Sequence, residues 1–205
     1  MPSIPGTRSD HGFDPTLPRC DWAGDDPLMV AYHDTEWGIP CRDDRELFER
    51  LLLEGFQAGL SWRTILHKRE SFRAALDGFD PERIAAYGEA DLARLLADPG
   101  IVRNRLKVNG AVTNARAWLA LREREDGASG FLWSFAPDRR VAQPRAMTYR
   151  DLPAATPESD AMSRALKRLG FSFVGSTICY AFMQSVGMVD DHAAGCHRAG
   201  SASRE

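Results

Sequence analysis

Two pairs of residues carry the atoms that a zinc ion prefers: Cys20 with His33 near one end of the chain, and His192 with Cys196 near the other. Thiolate sulfur and imidazole nitrogen suit a borderline-soft Zn2+ held tetrahedrally. His192 and Cys196 are one helical turn apart and can face a common point. Cys20 and His33 are thirteen apart, a separation that a short loop and helix can fold back. About 160 residues lie between the pairs, so a shared ion would clasp the two ends of one domain. Four protein ligands leave no open position for water, which makes such an ion structural rather than catalytic. His197, beside Cys196, is a substitute ligand. The competing reading makes Cys20 a surface thiol and His33 a packed core histidine. Cys41 and Cys179 read as ordinary buried or half-buried cysteines; Cys179 lies in the apolar run STICYAFM, where a small hydrophobe fits.

A second chemistry-bearing stretch is DPGIVRNRLK (98–107). The formal net charge of −3 weighs against an obligate nucleic-acid binder. Distribution matters more. Asp21, Asp25, Asp26, Asp34, Glu36, Asp43 and Asp44 make the entry segment acidic, whereas residues 99–116 hold Arg103, Arg105, Lys107 and Arg116 and no acid. A local patch can bind phosphate although the whole chain is slightly acidic. Gly100 permits a tight turn with positive φ, and the helix N-terminus that follows can offer N–H groups to a phosphate. These residues equally describe a plain helix–helix turn with solvated basic side chains.

The elements that must position these groups are helical almost throughout. Residues 43–58 put Leu47, Phe48, Leu51, Leu52 and Gly55 on one side. Ser61 caps a further helix that runs out at Gly78, and Asp80-Pro81 opens another. Short helices over about 81–86 and 89–96 lead to a long one over about 103–124, with Leu106, Val108, Val112, Ala115, Trp118 and Leu119 inward. Residues 125–155 are the most irregular internal stretch. Thr156-Pro157-Glu158 opens a helix closed by Gly170, and a last apolar helix covers about 173–187. Alternating strand patterns are few, so the spacing predicts an all-α domain.

At 205 residues with 43% hydrophobic side chains, one globular domain is expected over 19–198, with a flexible leader (1–18) and tail (199–205). No run approaches the roughly 18 apolar residues of a membrane span. The leader lacks the apolar stretch of a signal peptide. Four cysteines, two of them in ligand-like spacings with histidine, favour a reducing cytoplasm over a disulfide framework.

The motifs RCDW, AYHDTEWG, LEGFQAGLSW, FVGSTICYAFMQ and DHAAGC are long and specific, and the likeness they mark runs from about residue 19 to 197. On them the chain resembles the bacterial constitutive 3-methyladenine DNA glycosylases of type I, within the helix-hairpin-helix glycosylases. The resemblance implies an all-α fold of two helical subdomains stapled by a Cys/His zinc site. It also implies a monomer acting on double-stranded DNA with alkylated bases, and hydrolysis of the N-glycosidic bond of 3-methyladenine.

The residues make chemical sense of that activity. A base in duplex DNA must be extruded into a pocket and read by stacking and edge hydrogen bonds. Trp22, Tyr32, Trp37 and Trp62 supply aromatic faces, and Glu54 supplies a carboxylate within an apolar helix. A methylated, cationic purine suits such a set better than neutral adenine does; a desolvated cation over an indole gains about 2 kcal/mol. Trp22 and Trp62 would sandwich the ring, and Tyr32 would add a phenolic hydrogen bond. The resemblance assigns Glu54 to the exocyclic amine. Trp37 is either core packing behind the pocket or a direct contact. Met29 and Phe56 stand where the family pattern has a tyrosine and a polar residue.

Methylation already makes the base a good leaving group, so strong acid catalysis is not needed. Residues 103–124 hold no aspartate to steady the sugar, as in type I relatives. Glu54 would act electrostatically and help position water. LEGFQAGLSW and STICYAF contain no lysine for a Schiff base, so strand cleavage is not expected. Gly59-Leu60, after the Glu54 helix, is a wedge candidate for the gap left by the base, or simple packing. Three other readings compete: a zinc-dependent hydrolase, which needs an open coordination position; a non-catalytic hairpin module, which leaves Glu54 without a purpose; and an all-α protein-binding scaffold.

Overall fold

In a computed structural model that describes residue 14 and residues 16–137 and 146–200, every regular element is a helix; no strand occurs among the described residues. Ten α-helices run in order: α1 Pro27–Thr35, α2 Asp44–Gln57, α3 Trp62–His67, α4 Arg69–Ala75, α5 Pro81–Ala85, α6 Glu89–Ala97, α7 Arg105–Arg122, α8 Gly127–Trp133, α9 Pro157–Arg168 and α10 Ser176–Ser185. Most of the leader and tail expected from the sequence lies outside the described residues.

Short polar side chains start these helices. Asp26, Asp43, Ser61, Asp80, Asn104 and Thr156 each accept a backbone N–H of the first turn, with proline following at α1, α5 and α9. The helix expected after Ser61 breaks at Lys68 into α3 and α4. Within the irregular stretch 125–155, α8 forms and buries Ala128 and Leu132.

Helix α2 is the central post, in contact with α3, α7, α8 and α10. Its residues Leu47 to Phe56 are all buried. Small residues allow the close crossings: a Cβ on Gly55 of α2 would meet the Phe173 side chain at 3.3 Å, and one on Gly110 of α7 would meet the Phe173 ring at 3.0 Å. The apolar interior divides in two. The larger cluster lies around α2, α7 and α10; a smaller one joins Cys20, Met29, Tyr32, Trp37, Leu66, Ala193 and Cys196, with Trp22 and Trp62 against it. That smaller cluster carries the candidate site.

Two details of the long helix differ from the spacing-based expectation. Leu106 is 71% exposed rather than inward, while Lys107 beside it is buried. Leu119 is half-buried rather than fully inside. Helical period places Leu106 on the core stripe, but Lys107 turns inward instead, with its ammonium on the Phe56 and Ala58 carbonyls at the end of α2.

Candidate active site and metal clasp

The two ends of the chain meet at four buried side chains. The ligand atoms of Cys20, His33, His192 and Cys196 all lie within 4.8 Å of one another. Cys196 Sγ is 3.3 Å from His33 Nε2 and 3.6 Å from His192 Nδ1, and Cys20 Sγ is 3.7 Å from His192 Nδ1. Tetrahedral zinc bonds of about 2.0–2.3 Å require ligand atoms about 3.3–3.8 Å apart, a range that holds these three separations, and the two sulfurs and two imidazole nitrogens suit such an ion chemically. The surroundings are arranged to match. His33 Nδ1 is 2.8 Å from Asp34 Oδ1, which turns Nε2 toward the cluster, and Asp34 is held in turn by the Arg19 guanidinium at 2.7 Å. Backbone N–H groups of Ala193 and Arg198 donate to the sulfurs of Cys20 and Cys196 at 3.3 and 3.4 Å. His197 binds the Pro18 carbonyl through Nδ1 instead of joining the set. Cys41 and Cys179 are buried; Cys41 Sγ donates to Glu46 and Cys179 Sγ to the Val174 carbonyl.

Next to the clasp lies a cavity of about 350 Å3. Trp22, Tyr32, Trp37, Glu54 and Trp62 all line it, so the structure brings every base-binding candidate to one place. The Tyr32 ring touches both Trp22 (6.2 Å between centroids) and Trp62 (5.1 Å). Trp37 meets Trp22 edge-on at 5.0 Å and packs on His192 at 4.7 Å, so it serves as the wall between cavity and clasp while still facing the cavity. The indole nitrogens of Trp22 and Trp62 are buried without a hydrogen-bond partner. Met29 is among the lining residues; Phe56 is packed away against Phe72.

Glu54 is 3% exposed, and its Oε2 is buried without a partner. Burial pushes this carboxyl up to about 8, opposed by the positive charge of Arg50. Arg50 itself is committed elsewhere, donating to the Ser185 carbonyl at 2.6 Å and pairing with Glu46. Burial first, and then the Glu54 charge, also push the Tyr32 phenol up, so it remains a donor. A carboxyl that is uncharged in an apolar, ring-lined cavity is poised to ionise beside an entering cation.

Sequence reasoning missed several lining residues, among them Gln184, Asp26, Gln57 and Tyr149. Gln184 is buried and donates from Nε2 to Asp191 at 2.8 Å, as the Tyr180 hydroxyl does at 2.6 Å. Because a carboxylate only accepts, that bond fixes the Gln184 amide nitrogen on Asp191 and leaves its oxygen as the free end. Asp26 is buried at the rim, 2.7 Å from both His67 Nε2 and Arg63 Nε. The His67 hydrogen bond is the main force holding its carboxyl below the ordinary range. The Asp26-Pro27 start signal could have disclosed it. Gln57 and Tyr149 also line the cavity; Gln57 lies in the LEGFQAGLSW motif three residues after Glu54, whereas nothing in the sequence pattern marks Tyr149.

The basic stretch is only partly what its sequence suggests. Arg103 and Arg105 are exposed. Lys107 is not available to a phosphate: its ammonium donates to the Phe56 carbonyl at 2.8 Å and the Ala58 carbonyl at 2.5 Å, and burial lowers its pKa. It caps the end of α2 instead, where the last carbonyls lack helical partners. Gly100 does not occupy positive φ. Glycine is needed there for space, since a Cβ would stand 2.9 Å from Asp98 Oδ1 and 3.0 Å from Ser71 Cβ. Lys68 donates to the Pro99 and Gly100 carbonyls and pins the turn. Arg116 donates to the Ala85 carbonyl. Gly59 does have positive φ (77°), and Leu60 after it is 43% exposed.

An all-helical frame that encloses an aromatic cavity around one buried acid offers a single flat ring both stacking faces and an acceptor. The chain belongs to the methyladenine glycosylase family, whose model matches residues 22–199. It is 48% identical over 180 residues to DNA-3-methyladenine glycosylase 1 of Escherichia coli (strain K12), covering 88% of this chain and 96% of that protein. A crystal structure of a 3-methyladenine DNA glycosylase I superposes with a TM-score of 0.81 at 51% identity, over 88% of this chain and 98% of that one. A variant of 3-methyladenine DNA glycosylase I in complex with 3-methyladenine superposes with a TM-score of 0.82 at 32% identity, over 88% and 97% of the two chains.

Proposed function

We propose that this protein is a monofunctional DNA-3-methyladenine glycosylase that hydrolyses the N-glycosidic bond of 3-methyladenine in alkylated DNA, releasing the free base and leaving an abasic site. The observation that carries this reading is Glu54, a buried carboxyl whose Oε2 lacks a partner within a cavity lined by Trp22, Tyr32, Trp37 and Trp62.

Methylation at N3 puts a positive charge on the purine. That charge is drawn to the indole faces and to the Glu54 carboxylate; neutral adenine gains neither attraction. With Glu54 at about 8, ionising it at neutral pH costs on the order of 1 kcal/mol, which the cation's attraction in a dry cavity exceeds. Tyr32 donates its phenolic hydrogen to the base. When the C1′–N9 bond breaks, its electron pair passes to the ring and the base leaves neutral, so no proton need be supplied. Positive charge moves to the sugar, with the Glu54 carboxylate as negative charge close by. Water adds its oxygen at C1′ and gives up a proton to complete the abasic sugar.

Cys20, His33, His192 and Cys196 would hold one structural Zn2+, which would fix the segment bearing Trp22, Tyr32 and Trp37 to the C-terminal segment. DNA would be held through Arg103 and Arg105, contacts that are independent of sequence, because the Gly100 N–H is taken by Asp98 Oδ1 at 2.7 Å. Leu60, exposed at the tip after α2, would fill the gap left by the base. The protein would act as a monomer in the cytoplasm. Its free, buried cysteines suit a reducing compartment, and no helix among the described residues is long and apolar enough to cross a membrane.

The experiment is to incubate the protein with methylated DNA and assay free 3-methyladenine. Glu54→Gln and Trp62→Ala should each slow release at least tenfold. Release by both variants at the wild-type rate would refute the pocket.

A further inference from the structure

We infer that a second cavity beside the base pocket is the subsite for the deoxyribose-phosphate backbone adjoining the extruded base, with Arg150 as its phosphate ligand. This rests on the glycosylase reading above. The second cavity has a volume of about 510 Å3 and shares Gln57, Tyr149, Ala181 and Gln184 with the first. Those four residues form a partition with one space on each side. A base seated in the first cavity remains joined through C1′ to its sugar, and through the sugar to two phosphates. The strand must therefore leave over that partition, and the second cavity is where it arrives.

The chemistry of the second cavity fits a phosphodiester. Arg150 lines it and is exposed, with no ion-pair partner among the described residues. The acid nearest in sequence, Asp151, is occupied by the Thr148 N–H at 2.9 Å and hydroxyl at 3.1 Å. Arg63, the cation lining the first cavity, is by contrast paired with Asp26 at 2.7 Å. The two cavities thus differ in the charge they offer: one holds a buried acid for a cationic ring, the other an unpaired guanidinium for an anion.

Position agrees with chemistry. Arg150 sits on the 3-10 turn Tyr149–Asp151, and the Tyr149 N–H donates to Asp21 Oδ1 at 3.1 Å. That bond ties the turn to the 3-10 turn Asp21–Ala23, which carries Trp22. On its other side the cavity is lined by Leu60 and the rest of the tip after α2, and the Ala58 carbonyl in that tip receives the Lys107 ammonium from the start of α7. The start of α7 is therefore joined to the tip that lines the second cavity. Burial, and then the Glu54 charge, push the Tyr149 phenol up, so the partition carries a neutral hydroxyl rather than an anion that would repel the strand.

The test is the salt dependence of binding to a duplex carrying a tetrahydrofuran abasic site, followed by fluorescence anisotropy with wild type, Arg150→Ala and Arg150→Lys. Binding of free 3-methyladenine is read in parallel from tryptophan fluorescence. Losing one phosphate contact should lower the slope of log affinity against log salt by about 0.9. Arg150→Ala should show that change and bind the duplex about tenfold more weakly at low salt, with free-base affinity unchanged. Arg150→Lys should restore the slope. A wild-type slope in Arg150→Ala overturns the subsite, and so does an equal loss of free-base affinity, which would put Arg150 in the base pocket. If wild type neither binds 3-methyladenine nor releases it from methylated DNA, the glycosylase reading itself fails, whatever the slope.

Discussion

The His192 ring occupies the space that a side chain on Gly38 would fill: a Cβ there would stand 2.8 Å from His192 Nε2, on a backbone with φ of 75°. The last residue of the EWG motif is thus a glycine on behalf of a histidine more than 150 residues away in the chain. Gly38→Ala should displace His192 and strain the left-handed turn, costing about 2 kcal/mol or more. Metal content after purification and the thermal midpoint check it together: both should fall.

Removing the metal should loosen the base pocket before it unfolds the main core. Chelation is expected to lower the thermal midpoint, make Cys20 and Cys196 reactive to a thiol reagent, and alter the fluorescence of Trp22 and Trp37, which pack against His33 and His192. Cys41 and Cys179, buried apart from the cluster, should stay protected. Ion content by mass spectrometry gives the stoichiometry, with one zinc per chain expected.

Glu54→Gln should exchange activity for stability in a pH-dependent way. A carboxyl raised from 4.5 to about 8 in the folded state binds more proton folded than unfolded between those values. Wild-type stability therefore falls as pH rises through that window. Glutamine does not titrate, so the variant's advantage should grow from pH 5 to pH 9, reaching on the order of 4 kcal/mol. Urea unfolding midpoints at the two pH values measure it; a constant difference would refute the raised carboxyl.

The basic residues at the start of α7 should separate by role. Arg103→Ala and Arg105→Ala should each reduce the salt slope of DNA binding by about 0.9 and leave the thermal midpoint unchanged. Lys107→Met should do the reverse. It strands the Phe56 and Ala58 carbonyls, costing about 1–3 kcal/mol, without touching a phosphate.

That last contrast marks where sequence reasoning stopped. Start signals were readable because they are local: Ser61, Asp80-Pro81 and Thr156-Pro157 cap helices as their chemistry dictates. The clasp was readable because Cys and His in ligand spacings have few other uses, and the aromatic-plus-acid set because it came in long motifs. Which of two adjacent residues is buried was not readable. Leu106 and Lys107 exchange their expected places because the end of α2 lies under one of them, a fact set by tertiary packing. The break at Lys68 has no glycine or proline to announce it. Tyr149 reaches the cavity from a segment whose composition says nothing of a site, and Gln184 closes the FVGSTICYAFMQ motif without any local sign that it faces the cavity.

Because residues 20 and 196 meet, a ribosome must release the chain past residue 196 before the pocket's aromatic wall can lock. Until then the growing chain holds Glu54 and Trp62 but not the fastening for Trp22, Tyr32 and Trp37. Products of premature termination should accordingly carry a helical middle and no working pocket, so unfinished copies would not open abasic gaps in the genome.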